Sequence, residues 1–268
     1  QFQLPADSDV AGAQLGDWDG DKELDLFVPH NDQCLVFSTD GTSVTDFSPG
    51  GNNAISFGIG LVTDANRDGL DDVFCHWTVG GKANLAVFNR LKYPLLRFAI
   101  DDNAPIHPQH GPVPTVLSAV QMTDLNHDGQ AELLALAVTG FGRQPRGLFC
   151  FDAARQTLLW NHVVAAYPAR TLVADLDGDG NDEVVLGSTA TANGSRLADG
   201  TDDAHCYLHV VSHRGQLLWR KELGDIYTRC EPVLMPFTNG QRPRIYAAVC
   251  GEPRSREGIG TPEVGTII

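Results

Sequence analysis

The sequence predicts an all-β fold, a β-propeller of four-stranded antiparallel blades with four complete blades and part of a fifth. Three observations predict it. A nine-residue acidic segment occurs four times, and its first residues lie 47, 60 and 51 positions apart. Strand-like apolar runs stand on both sides of each copy. An apolar hairpin with a polar turn follows each copy. A period of this length marks a repeat architecture rather than a mosaic of unrelated elements.

The four acidic segments are Asp17–Asp25, Asp64–Asp72, Asp124–Glu132 and Asp175–Glu183. Each follows a strand such as Thr115 to Met122 or Thr171 to Ala174, and each runs into an apolar one: DLFV, DVFCHW, LLALAV or EVVLG. The hairpins that follow begin at Leu35, Leu85, Leu148 and Tyr207, and the last two end in Leu158-Leu159-Trp160 and Leu217-Leu218-Trp219. Each unit therefore reads strand A, acidic loop, strand B, strand C, turn, strand D, which is one antiparallel blade. The expected blades cover residues 9–48, 54–100, 115–163 and 170–222 of one domain over 1–268.

A partial fifth blade is expected over 230–268. Pro232 to Met235 reads as its strand A and Pro243 to Cys250 as its strand B. An Asn239-Gly240 turn stands where the acidic loop would be, and Val264 to Ile268 is a short β-like end. A repeat buries its faces only against neighbours. The chain is therefore expected to be an excerpt of a larger propeller, with a closed five-bladed ring as the alternative. It begins at Gln1 and carries no basic-then-apolar leader, as a mature form or an excerpt would.

Formal net charge is -15, which argues against nucleic acid or an anionic membrane surface as partner. No apolar stretch is long enough to insert in a bilayer. The acid is concentrated: the four loops hold 17 of the 34 Asp and Glu residues. Four divalent cations would offset roughly half of the net charge, and without them the crowded carboxylates would repel one another. Calcium is a hard cation that takes six to eight oxygens. Oxygens at loop positions 1, 3, 5 and 9, with a backbone carbonyl at 7, wrap a chain around one such ion. Position 6 needs a left-handed residue, and Gly69, Gly129 and Gly180 supply it. Lys22 stands there in the first loop, which makes that site the weakest. An EF-hand does not fit, because strands rather than helices flank the loops.

The loops, the Phe57-Gly58 pair before the second of them and the blade spacing resemble FG-GAP/VCBS repeats, as in the propeller of integrin α subunits. The resemblance covers Val10 to Cys250 and implies up to four structural Ca²⁺ ions, each clamping an A–B turn. For the first loop it implies ligands at Asp17, Asp19, Asp21, Glu23 through its backbone, and Asp25. The second would use Asp64, Asn66, Asp68, the backbone of Leu70, and Asp72. The third would use Asp124, Asn126, Asp128, the backbone of Gln130, and Glu132. The fourth would use Asp175, Asp177, Asp179, the backbone of Asn181, and Glu183.

In such a blade the B–C and D–A connections lie on the face opposite the calcium loops, and long loops on a rigid scaffold are where binding resides. Candidate ligand-binding residues there are His76, Trp77, His107, His110, Arg143, Arg146, Arg196, Tyr227 and Arg229. No hydrolase, metalloprotease or nucleotide-binding signature is present. The expected function is a non-catalytic ligand-binding, adhesion or sensor module, extracellular, periplasmic or at the cell surface, with a protein or carbohydrate partner. The alternative is a propeller-type polysaccharide lyase or hydrolase acting on acidic glycans. His76, His107, Arg143 and Tyr227 gathered in one cleft would favour it. The cysteines Cys75, Cys150 and Cys250 sit in apolar runs and read as buried thiols, while a Cys206–Cys230 or Cys230–Cys250 bridge stays open.

Overall fold

Apolar runs become strands here, and the acidic segments, exposed or half-buried along most of their length with only the last carboxylate buried, become the turns between them. The structure is a computed structural model that describes residues 12–51, 54–101, 106–107, 109, 111–235 and 243–251. Among these residues there is no α-helix.

The first sheet holds β1 (Gln14–Gly16), β2 (Asp25–His30), β3 (Gln33–Phe37) and β4 (Ser43–Phe47), hydrogen-bonded in sequence order. The second holds β5 (Ile55–Thr63), β6 (Asp72–Val79), β7 (Lys82–Phe88) and β8 (Pro94–Asp101), again in order. A two-residue pair follows, β9 (Ile106–His107) with β10 (Gly111–Pro112). The third sheet is β11 (Thr115–Thr123), β12 (Glu132–Thr139), β13 (Gly147–Asp152) and β14 (Thr157–Val163). In the fourth, β15 (Tyr167–Ala174), β16 (Glu183–Thr189), β17 (Cys206–Val211) and β18 (Leu217–Gly224) pair antiparallel in succession. Every acidic segment thus joins the first and second of four successive antiparallel strands.

The last hairpin, β19 (Thr228–Met235) with β20 (Arg244–Gly251), joins the fourth sheet through one residue pair, Thr189 with Arg229. The expected Asn239-Gly240 turn and the β-like end at Val264 to Ile268 lie outside the described residues.

The chain divides into two compact units. One holds Gln1–Met122, Leu133–Leu136 and Ala153–Thr157, and the other Thr123–Glu132, Ala137–Asp152 and Leu158–Ile268. The dividing line runs through the third sheet. In the first unit, Trp18, Phe27, Phe47, Trp77 and Phe88 form an aromatic core between the first two sheets. Trp18 meets Phe27 edge-on at 5.6 Å and stacks on Phe47 at 6.1 Å. Full burial of each such ring stabilises by about 1.5–3 kcal/mol. In the second unit, Val185, Leu208, Val210, Cys206 and Cys230 play the same part.

Burial falls towards the outer edge of the sheets. All six residues of β13 and of β17 are buried, whereas β14 and β18 leave Leu158, Leu159, Leu217, Leu218 and Trp219 exposed. The inner strands approach so closely that side chains are excluded. A Cβ on Gly60 of β5 would lie 2.6 Å from the Ala119 carbonyl oxygen of β11. One on Gly187 of β16 would lie 2.3 Å from the Cys230 carbonyl oxygen.

All six cysteines are free thiols. Five are buried, but Cys250 is exposed, against the expectation from its apolar run. It stands on β20, which among the described residues pairs on one side only, and its neighbours alternate between half-buried and exposed.

Candidate functional site

The four acidic loops fold alike, because each wraps its backbone N–H groups around its own carboxylates. The position-1 carboxylate accepts from position 6: Lys22 N donates to Asp17 at 3.1 Å, Gly69 N to Asp64 at 2.9 Å, Gly129 N to Asp124 at 2.7 Å and Gly180 N to Asp175 at 3.1 Å. The position-3 side chains Asp19, Asn66, Asn126 and Asp177 each accept from the residue two places on. Asp21, Asp68, Asp128 and Asp179 accept in turn from Glu23, Leu70, Gln130 and Asn181. The position-9 carboxylate closes the loop by accepting the position-2 N–H: Trp18 to Asp25 at 3.0 Å, Ala65 to Asp72 at 3.1 Å, Leu125 to Glu132 at 2.9 Å and Leu176 to Glu183 at 2.8 Å.

This wrapping requires left-handed backbone at two places. Position 6 is one, and Lys22 adopts φ 72° there, at the strain expected of a non-glycine residue. Position 4 is the other, which pattern reading missed. Gly20, Arg67, His127 and Gly178 all have positive φ, so only the fourth loop has glycine at both places.

The electrostatics are unfavourable as they stand. Burial pushes the position-9 carboxyls up, against the pull of the position-2 N–H, and the acidic neighbours in each loop push further. Asp72 reaches about 6. Among the described residues no Lys or Arg forms an ion pair with a carboxylate at positions 1, 3, 5 or 9. Asp17, Asp19 and Asp25 have oxygens within 4.8 Å of one another, and so do Asp175, Asp177 and Glu183. Two ligands at ~2.3–2.6 Å on opposite sides of one ion have about that separation. These two clusters could hold a metal ion. The second and third loops place an Asn amide oxygen where those two place a carboxylate.

Position 8 adds links between loops that were not foreseen. Asp71 accepts Asp17 N at 2.8 Å and its own N donates to the Asp17 carbonyl at 3.0 Å. Asp182 N donates to the Leu125 carbonyl at 2.8 Å, and its carboxylate stands 3.7 Å from His127 Nε2. The signal was an Asp at position 8 in the second and fourth loops only.

At the other end of the strands, the loop from Ala190 to His205 is organised by one carboxylate. Buried Asp203 accepts N–H bonds from Asn193, Gly194 and Ser195, all at 3.0 Å, and the Thr191 hydroxyl at 3.2 Å. Its counter-charge is Arg146, wholly buried, with Nη1 3.4 Å away. Arg146 also donates to the carbonyls of Thr139 and Ala165, and its guanidinium lies 5.6 Å from the centre of the Tyr167 ring.

The candidate ligand residues therefore have different fates. Tyr227 and Arg229 line one cleft of about 620 Å³ with Tyr167, Thr191 and Asn193, and Cys250 stands at its edge. Tyr167 was missed because it opens a strand. Arg146 was expected at a ligand surface and instead holds the cleft's supporting loop from inside. Trp77 is corrected likewise: it belongs to the aromatic core, since β6 is buried on both faces and a hydrophobic run does not say which face is outward. His76 packs against Gly58, and burial pushes it down to about 4. Arg143 is half-buried with its Nε enclosed, and Arg196 is exposed beside Asp202. His107 falls on β9, and His110 lies outside the described residues. His76 belongs to the first unit, and the cleft that holds Tyr227 does not include Arg143.

No protein-family model matches the chain, and no curated protein matches it. Similar solved structures include BBS1N in complex with ARL6DN, at 15% identity over 92% of this chain and 80% of that chain, TM-score 0.40. A protein of unknown function from Bacteroides caccae is 11% identical over 87% and 69%, TM-score 0.45. Rhamnogalacturonan lyase PL11 from Bacillus licheniformis is 15% identical over 88% and 55%, TM-score 0.43, so the chain spans about half the length of that enzyme. Likenesses at this level specify neither a family nor an activity.

Proposed function

We propose that this chain is a calcium-stabilised β-propeller segment of the FG-GAP/VCBS type, serving as an extracytoplasmic, non-catalytic ligand-binding module. The carrying observation is the fourfold repetition of one loop geometry around carboxylates that form no ion pair with Lys or Arg among the described residues. Four-stranded antiparallel sheets, each with its acidic loop between the first and second strands, support the propeller reading. Asp17, Asp19, Asp21 and Asp25 would hold one ion, and Asp175, Asp177, Asp179 and Glu183 another. Asp64, Asn66, Asp68 and Asp72, and Asp124, Asn126, Asp128 and Glu132, would hold two more, each set joined by the position-7 carbonyl. Bound calcium supplies charge neutralisation and a cross-link across the turn. Calcium sites of extracellular modules work at Kd values of about 10⁻⁴–10⁻³ M, which suits a module outside the cytoplasm. The partner, a protein or a carbohydrate, is assigned to the face opposite the loops.

Titration calorimetry of chelator-stripped protein with Ca²⁺, beside thermal melts with and without chelator, tests the reading. Saturable calcium uptake with a raised melting temperature is expected. Identical melts in calcium and in chelator would remove its basis.

A further inference from the structure

We infer that the cleft of the second unit lined by Tyr167, Thr191, Asn193, Tyr227 and Arg229 binds a neutral oligosaccharide. The inference rests on the binding-module reading and gives it a site and a ligand class. The cleft measures about 620 Å³, within the roughly 300–1,000 Å³ of small-molecule sites. Two tyrosines that line it are open to solvent, with Tyr167 38% and Tyr227 54% exposed. An exposed phenol ring presents an apolar face that stacks on the C–H face of a pyranose, and a hydroxyl that can donate or accept.

The polar groups suit hydroxyls rather than an anion. The Asn193 side-chain amide makes no hydrogen bond among the described residues, so it offers both donors and an acceptor. Arg229 is the cleft's cation, and its Nε is paired with Glu231, which cancels the local charge. With a chain net charge of -15, an anionic ligand would meet repulsion that a neutral one does not.

The walls are set before a ligand arrives. Tyr167 lies against the buried Arg146 guanidinium. Asn193 is fixed by its backbone N–H to Asp203. Tyr227 is held in left-handed backbone, φ 63°, while its N donates to the Ala190 carbonyl at 2.9 Å and Ala190 N donates to the Thr228 carbonyl at 2.8 Å. A bulky residue kept in that conformation is strain of the kind that gathers at binding sites. Pre-set walls lose little conformational freedom on binding.

The test uses the full chain saturated with calcium, titrated with cellohexaose, mannohexaose, xylohexaose and, as the acidic counterpart, trigalacturonate. A neutral hexaose is expected to bind, and to bind about tenfold more weakly to Tyr167→Ala and to Tyr227→Ala, the loss of one stacking face. Tyr93→Ala, at an exposed tyrosine of the other unit, should bind as the parent does. Tyr93→Ala and Tyr227→Ala should keep the parental melt, and Tyr167→Phe, which keeps the ring against Arg146, should keep both the melt and most of the binding. Because Cys250 is exposed at the cleft edge, its alkylation by iodoacetamide should slow when the hexaose is bound. Binding that survives both tyrosine variants, or leaves Cys250 alkylation unchanged, would overturn the cleft. Preference for trigalacturonate would overturn the neutral class, and a peptide array positive where every sugar fails would overturn both while leaving the binding module standing. Failure of the calcium reading shows separately, in the chelator melt.

Discussion

Two kinds of loop in this molecule fold around carboxylates, and they differ in where the counter-charge comes from. The loop from Ala190 to His205 wraps three N–H groups around Asp203, and the chain supplies Arg146 to balance it. The nine-residue loops wrap four or five N–H groups around three or four carboxylates at positions 1, 3, 5 and 9, and among the described residues none of these pairs with a Lys or Arg. N–H donation organises both. It suffices for a single charge with an internal partner, whereas under the calcium reading the crowded like charges are met by an ion from outside the chain.

The sharpest way to break the comparison is to withdraw that outside charge. Under the calcium reading, a site saturated at about a hundred times its Kd contributes about 2.7 kcal/mol, so losing four at once should be the largest effect on the molecule. A melt in excess chelator should fall well below that in calcium, and the Ala190–His205 loop should keep its protection from hydrogen exchange longer than the acidic loops do. Next comes the internal pair. Arg146→Met or Asp203→Asn alone should destabilise by about 3–5 kcal/mol, because each strands a buried charge or an emptied nest. The double variant should cost less than the two singles added, by urea denaturation, and both singles should be indifferent to calcium.

A smaller effect comes from a buried group the second unit keeps uncharged. His209 of β17 is buried with Nδ1 3.1 Å from His162 Nε2, and burial, helped by His162 and Arg220, pushes its pKa down to about 3. Its folded value lies below its unfolded value, so its contribution is intact above the unfolded pKa. Stability then falls as pH drops from about 6.5 towards 3, and by pH 5 the loss is about 2 kcal/mol. Melts of His209→Gln should show a flatter profile over that range, and an unchanged profile would discard the account. The smallest effect separates the acidic loops from one another. Lys22→Gly removes a left-handed lysine and a cation from the first loop, so it should stabilise by about 1 kcal/mol and tighten that loop's calcium affinity in calorimetry.

Much of this was legible in the residue order, for reasons that differ by place. The recurring loop with acceptor side chains at positions 1, 3, 5 and 9 follows from spacing, because a chain that closes on itself within nine residues has few ways to do it. The left-handed position 4 was hidden, because Arg67 and His127 are not residues that announce positive φ. Arg146 was misplaced because its partner Asp203 is 57 residues away, and nothing local distinguishes a buried guanidinium from a solvated one. Trp77 was misplaced for a related reason, since a strand covered on both faces has no alternation to read. Tyr167, which lines the cleft with Tyr227, carries no motif at all.

The close approach of Gly60 to Ala119 and the Ser118 hydroxyl sets a gauge between the second and third sheets at that point. Loops at either end can lengthen, shorten or exchange residues without disturbing it, since none of them occupies that seam. A single methyl group there would act as a wedge shared by two sheets, and its displacement would be levered outward along both. Such a seam concentrates intolerance to mutation at a point far from any chemistry, and leaves the rims free to diversify.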